Sequence, residues 1–206
     1  MTETAPPLPI GGVNYLWPVV AYFVGSIPMA IVVARLFRLP DPRTTGSRNP
    51  GATNILRYGG KVAAAVTLAG DVLKGAIVLA AVRIVAPDPG VLALTGLGVF
   101  LGHLYPVFFG FRGGKGVATA LGVWLVLVPW VGLLLLLTWV AVAMAFRYSS
   151  LAAVVAACFA PVYVSWLAPV AAYIALSVAM SLLLLWRHRR NIRNLMDGTE
   201  GRIGAR

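Results

Sequence analysis

Two long uncharged runs in the second half of the chain limit what it can fold into. No charged residue occurs from 117 to 146 or from 148 to 186. As single α-helices these runs would be roughly 45 and 58 Å long, whereas the hydrocarbon core of a bilayer is about 30 Å thick. We therefore expect each run to fold back once, with breaks at 129–132 and 161–169, where proline and glycine favour turns.

The composition is typical of a membrane protein. Hydrophobic residues make up 60% of the chain and charged residues 11%, whereas a soluble domain is about 25% charged. Disorder is excluded because it requires low hydrophobicity. Three further apolar stretches cover residues 10–34, 62–86 and 91–111. The sequence predicts an all-α integral membrane protein, one membrane domain over 1–206, with seven transmembrane helices; five helices, two of them steeply tilted, are the alternative.

The distribution of Lys and Arg predicts the orientation, because basic residues concentrate on the cytoplasmic side. Residues 1–12 contain neither, residues 35–61 contain six basic residues against one acid, and residues 187–206 contain six. We expect the N-terminus outside, as an uncleaved anchor without a basic n-region, and the C-terminus in the cytoplasm. Arg147 would lie inside with seven helices and outside with five, which favours seven.

Three polar segments, residues 46–57, 110–116 and 187–201, are predicted to face the cytoplasm together. The number of spans between them is even in both arrangements, so they share one side of the membrane. Residues that are distant in sequence can therefore meet there.

The first segment is rich in hydroxyl and amide groups. Asn49 followed by Pro50 is typical of a helix start, with Asn49 as the N-cap. A solvated loop before a short capped helix is the alternative to a binding site. The side chains that could hold a small oxygen-rich anion are Ser47, Asn49, Thr53, Asn54 and Arg57.

The second segment places Gly113, Gly114 and Gly116 around Lys115. Glycine lets backbone N–H groups approach an anion, and the apolar helix that follows directs its positive dipole end to the same place. This pattern predicts a phosphate cradle. A flexible turn with snorkelling cations is the alternative. The spacing is not that of a Walker A loop, which needs Gly at position 109 and Ser or Thr at 116.

The third segment places His188 and Asn191 three residues apart, on one helix face. Glu200 could pair with an arginine and fix the tail. A basic stop signal after the last span is the alternative. Ser149 and Ser150, beside Arg147, complete a pocket in the seven-helix arrangement or cap a helix.

Asp71, Lys74, Arg83 and His103 fall within predicted spans. Asp71 and Lys74 are three residues apart, and charges inside a membrane tend to be functional, although mutual pairing explains these two equally well. His103, near the end of its span, is either a packing residue or a functional one.

The residue inventory limits the chemistry. Six acidic residues in the whole chain cannot build a carboxylate-rich two-metal site, and no His/Cys cluster has zinc spacing. We therefore expect no metal and no cofactor. No Gly-x-Ser-x-Gly elbow is present either. What remains is a basic, hydroxyl-rich pocket at the bilayer surface, suited to a phosphate-bearing substrate with an acyl chain in the membrane.

The ordered motifs carry a resemblance to a known family. They read Gly25-Ser26-Ile27-Pro28, Gly46-Ser47-x-Asn49-Pro50-Gly51-Ala52-Thr53-Asn54-x-x-Arg57, Gly102-His103-x-x-Pro106, Gly113-Gly114-Lys115-Gly116, His188-x-x-Asn191-Ile192 and Gly198-x-Glu200. Together they resemble the bacterial acyl-phosphate:glycerol-3-phosphate acyltransferase family (the PlsY family). The visible departure is Arg48, where members often have glycine.

The resemblance implies transfer of a fatty acyl group from acyl phosphate to the 1-hydroxyl of sn-glycerol 3-phosphate. The products are 1-acyl-glycerol 3-phosphate (lysophosphatidic acid) and phosphate, in phospholipid biosynthesis. It implies a multi-pass protein of the bacterial cytoplasmic (inner) membrane with its site facing the cytoplasm. The lipid bilayer and the two substrates are its partners, without nucleic acid, metal or an obligatory protein partner.

The resemblance also implies roles for individual residues. The glycine loop around Lys115 would bind phosphate, and Glu200 would be structural. The residues expected in catalysis are Ser47, Arg57, Lys115, His188 and Asn191. Either His188 or the phosphate of the donor takes the proton. The competing hypotheses are a transporter for a small phosphorylated anion and a non-catalytic lipid-binding scaffold.

Overall fold

The chain is described here by a computed structural model that covers residues 14 and 16–204. The expectations for residues 1–12, including an outside N-terminus, lie outside the described residues. Within the described range the chain is helical, and a short 3₁₀ helix at Val107–Phe109 follows the fourth α-helix. The α-helices are α1 (Leu16–Gly25), α2 (Met29–Leu36), α3 (Ala52–Val85), α4 (Pro89–Leu104), α5 (Val117–Leu127), α6 (Pro129–Phe146), α7 (Ser149–Leu167) and α8 (Ala171–Met196).

Both long uncharged runs are divided into two helices. The first break falls at Val128, directly before Pro129, as the proline predicts. The second lies between Leu167 and Ala171, at the end of the predicted interval. Pro161 does not break the chain but lies inside α7, because neighbouring helices in a membrane protein tolerate the hydrogen bond that proline removes.

Two other interruptions were not predicted. The apolar stretch at 10–34 is divided at Gly25–Pro28 into α1 and α2. Helix α3 bends at Gly60, whose φ of 83° lies in the left-handed region that favours glycine. The predicted helix start at Asn49 is also wrong: α3 begins at Ala52, with Gly51 as its N-cap residue. Asn49 and Pro50 lie before the helix, in a segment without regular secondary structure.

Six helical segments are long and apolar enough to span a membrane, while α5, with 11 residues, is a shorter apolar helix. Helix α4 is central, because 67% of its most apolar window is buried against other helices. Glycines allow the close crossings: a Cβ at Gly75 would meet the Thr119 carbonyl of α5 at 2.6 Å. Small residues at helix crossings are typical of membrane proteins.

Candidate active site

A cavity of about 750 Å³ opens at the end of the helix bundle where the three polar segments meet. Its mouth is polar and its interior, between α5, α6, α7 and α8, is apolar. This volume falls within the range of small-molecule sites. The polar lining includes Ser47, Asn49, Thr53, Asn54, Arg57, Lys115, Gly116, Ser149, Ser150, His188, Asn191 and Glu200. The apolar lining includes Leu121, Trp124, Leu135, Leu136, Trp139, Ala153, Ala156, Ala157, Ala160, Met180 and Leu184.

Asn54 organises the loop that carries Ser47. Its side-chain amide nitrogen donates to the carbonyls of Pro42 at 3.0 Å and Thr45 at 2.9 Å. Its amide oxygen accepts the Ser47 backbone N–H at 2.8 Å, and the residue is 1% exposed. The sequence grouped Asn54 with the substrate-binding residues, but the structure uses its amide to fold the loop over the start of α3.

The side chains beside this loop remain open to the cavity. Ser47 and Arg57 are exposed, and the Arg57 guanidinium lies beside Gly201 of the tail. Thr53 of α3 and Ser149 of α7 share a hydrogen bond at 3.1 Å. The loop, α3, α7 and the tail therefore form one continuous polar rim.

The glycine loop is bound to α4 by its N–H groups. Gly113 N–H donates to the Leu104 carbonyl at 3.2 Å, and Gly114 N–H donates to the His103 carbonyl at 3.1 Å. Gly114 also has no room for a side chain, since a Cβ there would lie 3.0 Å from the Pro50 carbonyl. The expectation that these two N–H groups face an anion is therefore corrected, because α4 already accepts both.

The residues of this loop that line the cavity begin directly after Gly114. They are Lys115, Gly116 and the first residues of α5, Val117 and Ala118. Gly116 is the N-cap residue of α5 and has a φ of 89°. The positive end of the α5 dipole therefore points at the cavity beside the Lys115 ammonium, an arrangement that favours an anion.

A hydrogen-bonded chain links Lys115 to the C-terminal segment. The Lys115 ammonium donates to the Asn191 side-chain oxygen at 2.6 Å. The Asn191 amide in turn donates to Glu200 at 2.7 Å, and the Ser150 hydroxyl donates to the same carboxylate oxygen at 2.6 Å. Polarised chains of this kind strengthen each member, so Glu200 fixes the position of both Asn191 and Ser150.

The electrostatics of the mouth act on Lys115. Burial is the largest cause that lowers its pKa, from 10.5 to about 8. The nearby Glu200 carboxylate opposes this shift, whereas the positive charges of Arg57 and Arg187 add to it. Lys115 is therefore a cation whose charge is sensitive to its neighbours.

His188 has a defined tautomer. Its Nδ1 lies 2.9 Å from the Leu184 carbonyl, and a carbonyl only accepts, so Nδ1 carries the proton. The side chain is 2% exposed and lines the cavity. The Nε2 lone pair is therefore left to accept a proton or a hydrogen bond.

The intramembrane acid and base pair with each other, as one of the two interpretations predicted. The Lys74 ammonium lies 2.8 Å from the Asp71 carboxylate, in the interior of α3. His103 of α4 joins them, with Nδ1 2.9 Å from the Lys74 ammonium. Asp71 and His103 also line the cavity. No group of three or more His, Cys, Asp or Glu side chains in the described part of the chain lies close enough to hold a metal.

Sequence reasoning missed Arg187, which holds the other side of the glycine loop. Its guanidinium donates to the carbonyls of Gly113 at 2.7 Å and Gly114 at 3.1 Å. It also lies 5.6 Å from the centre of the Tyr105 ring. The basic cluster at the end of α8 contained this residue, but nothing in the sequence distinguishes it from its exposed neighbours.

Comparisons with known proteins agree with the motifs. The family model for glycerol-3-phosphate acyltransferase matches residues 15–198. The chain belongs to the glycerol-3-phosphate acyltransferase family. A glycerol-3-phosphate acyltransferase of Herminiimonas arsenicoxydans is 53% identical over 195 residues, which are 93% of this chain and 95% of that protein. That of Bordetella petrii is 52% identical over 214 residues, which are 100% of this chain and 99% of that protein.

Two solved structures have the same fold. Both are of PlsY, an integral membrane glycerol 3-phosphate acyltransferase. Each alignment covers 94% of this chain and 96% of the PlsY chain. The glycerol 3-phosphate form is 41% identical with a TM-score of 0.88, and the lysophosphatidic acid form is 40% identical with a TM-score of 0.87. The family that the motifs indicate is thereby confirmed, and the chain is a bacterial integral membrane protein whose described residues form a helical bundle.

Proposed function

We propose that the chain transfers a fatty acyl group from acyl phosphate to the 1-hydroxyl of sn-glycerol 3-phosphate. Membership of the glycerol-3-phosphate acyltransferase family supports the acceptor and the reaction type. The observation that carries the proposal for the donor is the shape of the cavity, which joins a cationic mouth to an apolar interior. An acyl phosphate has these two parts, a charged head and an alkyl chain.

The mouth has the groups that the two phosphates need. Lys115 and Arg57 supply positive charge, and the first turn of α5 supplies N–H donors beside Lys115. Ser47, Thr53, Asn49 and Ser149 line the same rim and would orient the glycerol hydroxyls. Preorganised donors of this kind stabilise the charge that develops in acyl transfer.

The reaction that fits these groups is a direct attack. The 1-hydroxyl oxygen of glycerol 3-phosphate attacks the acyl carbonyl carbon, an ester bond forms, and the bond from that carbon to the phosphate oxygen breaks. The phosphate leaves with the electron pair. The hydroxyl proton passes to the leaving phosphate or to Nε2 of His188, whose lone pair is available because Nδ1 holds the proton.

The remaining expected residues would support this geometry. Glu200 would hold Asn191 and Ser150, and through Asn191 it would fix the Lys115 ammonium. Asn54 would hold the Ser47 loop. Gly113, Gly114 and Gly116 would give the glycine loop its close packing and its turn into α5.

The membrane arrangement is part of the proposal. We assign seven crossings, the first by α1 with α2 and one by the short α5, with the N-terminus outside and the polar segments 46–57, 110–116 and 187–201 in the cytoplasm of a bacterial inner membrane. Arg147 supports this arrangement, because its guanidinium donates to Ile203 of the tail at 3.1 Å. The turn between α6 and α7 and the basic tail then share one side.

Purified protein supplied with acyl phosphate and glycerol 3-phosphate tests the proposal. We expect phosphate release and lysophosphatidic acid formation that depend on both substrates, with greatly reduced rates for Lys115→Ala. Exchange of labelled glycerol 3-phosphate across vesicles without product would identify a transporter instead. A protein that binds both compounds and does neither would be a scaffold, and the proposal would be wrong.

A further inference from the structure

A buried charged cluster lies beneath the glycine loop. It consists of Asp71 and Lys74 on α3 and His103 on α4, which are 2%, 7% and 5% exposed. The Lys74 ammonium contacts three acceptors: the Asp71 carboxylate at 2.8 Å, Nδ1 of His103 at 2.9 Å and the carbonyl of Ile27 at 2.9 Å. The contacts with Nδ1 and with the Ile27 carbonyl are hydrogen bonds, whereas the contact with Asp71 is an ion pair whose Oδ1 has no hydrogen-bond partner in the described part of the chain.

The third acceptor lies in the break of the first apolar stretch. Ile27 lies between α1 and α2, and α2 begins at Met29 with Pro28 as its N-cap residue. The first N–H groups of α2 turn back to Pro28, which leaves the Ile27 carbonyl for Lys74. The Gly25-Ser26-Ile27-Pro28 motif therefore supplies one corner of the cluster, and the bent backbone is what makes that carbonyl available.

Lys74 determines which nitrogen of His103 carries the proton. Nδ1 faces two groups, the Lys74 ammonium at 2.9 Å and the Asp71 carboxylate at 3.4 Å. The shorter contact is to a group that only donates, which assigns the lone pair of the neutral ring to Nδ1 and its proton to Nε2. Nε2 has no hydrogen-bond partner among the described residues and lies against Gly114. The backbone carbonyl of His103 accepts the Gly114 N–H at 3.1 Å. His103 thus contacts the glycine loop through both its ring and its main chain.

We propose that His103 is a positioning residue for acyl transfer: it sets the glycine loop that carries Lys115, and Asp71 and Lys74 hold its ring in the Nε2–H form. This inference rests on the proposed function. Gly114 precedes Lys115 directly, so a displacement of Gly114 moves the cation at the mouth. A misplacement of about 1 Å can reduce the rate roughly 10²-fold.

The free-energy cost of burying such a cluster supports a functional role for it. Ionised groups within a membrane are expensive to bury, and apolar residues of similar volume frequently stabilise a protein as well as a buried ion pair does. Packing between α3 and α4 alone would not require Asp71 and Lys74. Orienting one imidazole tautomer against the loop does require a donor on Nδ1, and Lys74 supplies it.

A spectroscopic test uses the wild-type chain, which contains two histidines, His103 and His188. Selective ¹⁵N labelling of the histidine rings gives two spin systems, and His188→Gln assigns them. We expect opposite neutral tautomers, Nε2–H for His103 and Nδ1–H for His188. An Nδ1–H tautomer or an imidazolium at His103 would overturn the inference. Lys74→Met should change the His103 signals and leave those of His188 in place.

A kinetic test separates positioning from simple packing. His103→Phe keeps a planar aromatic ring, somewhat larger than imidazole, without hydrogen bonding, and His103→Gln returns an amide near the Nε2 position. We expect His103→Phe to lower kcat/KM for glycerol 3-phosphate about 10²-fold, mainly through KM, with partial recovery in His103→Gln. Thr95→Val, a buried polar position elsewhere in α4, is the matched control and should keep wild-type kinetics.

The outcomes distinguish the inference from the function on which it rests. An inactive wild-type protein with both substrates present contradicts the proposed function. An active wild type with folded His103→Phe protein of unchanged kcat and KM overturns the positioning role, even where the melting temperature falls. Should His103→Phe not fold, Lys74→Met and the histidine spectrum decide: an unchanged His103 tautomer with wild-type kinetics in Lys74→Met overturns the inference.

Discussion

The charge of Lys115 gives the sharpest test of the proposed mouth of the site. Its pKa is lowered from 10.5 to about 8, mostly by burial, with Glu200 opposing the shift and Arg57 and Arg187 adding to it. Because the lowered pKa is that of a cation, the ammonium is present below pH 8 and is lost above it. Phosphate binding should therefore weaken on the alkaline side.

The size of the effect follows from this pKa of about 8. One pH unit above it, about a tenth of the protein retains the ammonium, so kcat/KM for glycerol 3-phosphate should fall about tenfold per unit. The phosphate of glycerol 3-phosphate has a second pKa of about 6 and therefore titrates on the acid side. The fall in kcat/KM above pH 8, the alkaline limb of the pH profile, then reports on Lys115 alone. Lys115→Arg should abolish the alkaline limb, because guanidinium stays charged.

Glu200→Gln supplies the directional control. Removing the carboxylate that raises the Lys115 pKa should move the alkaline limb to lower pH. Initial rates measured from about pH 6.5 to 9.5 at constant ionic strength, with a blank for acyl phosphate hydrolysis, report kcat/KM of the free enzyme. An alkaline limb that persists in Lys115→Arg would show that another group titrates, and the reasoning would be wrong.

Three further predictions concern other parts of the cavity. Ser47→Ala should lower kcat roughly 10²-fold, as loss of an oriented donor does, without a change in melting temperature, since the side chain is exposed; wild-type turnover would remove Ser47 from the site. If His188 is the obligatory base, His188→Ala should lose most of its activity, because general bases contribute roughly 10²–10⁴-fold. More than about a tenth of the wild-type activity in this variant would exclude that role. Ala157→Phe should fill the apolar interior and raise KM for long acyl phosphates more than for short ones, by about 0.8 kcal/mol per excluded CH₂; equal effects on all chain lengths would contradict this position for the chain.

Apolar runs and prolines were sufficient to predict most of the helices. The break before Pro129 follows from a run too long for one span. The bends at Gly25–Pro28 and at Gly60 were not predicted, because the stretch at 10–34 is short enough for one span and Gly60 lies before the stretch at 62–86. Pro161 was misleading for the opposite reason, since a membrane helix accommodates an internal proline when its neighbours satisfy the freed backbone groups.

The residue types of the site were predictable, whereas the direction of their polar groups was not. Counting spans between basic segments was enough to expect that Ser47, Lys115 and His188 could meet, and they line one cavity. The role of Asn54 depends on carbonyls of a loop whose path no pattern specifies. Arg187 looked like one of several tail cations because its carbonyl partners come from a distant loop.

The direction of the polar groups in the glycine loop could not be predicted either, and it explains how the site fixes the Lys115 ammonium. Both N–H groups of Gly113 and Gly114 are accepted by carbonyls at the end of α4, and both of their carbonyls accept from Arg187 of α8. Two successive residues are therefore bound through both their N–H and their C=O groups, and the loop is rigid despite its composition. A rigid loop delivers the Lys115 ammonium as a fixed charge that needs little reorganisation during the reaction, which is the condition under which electrostatic stabilisation is most effective. Gly113 and Gly114 thus serve close packing, and the packing in turn serves the chemistry.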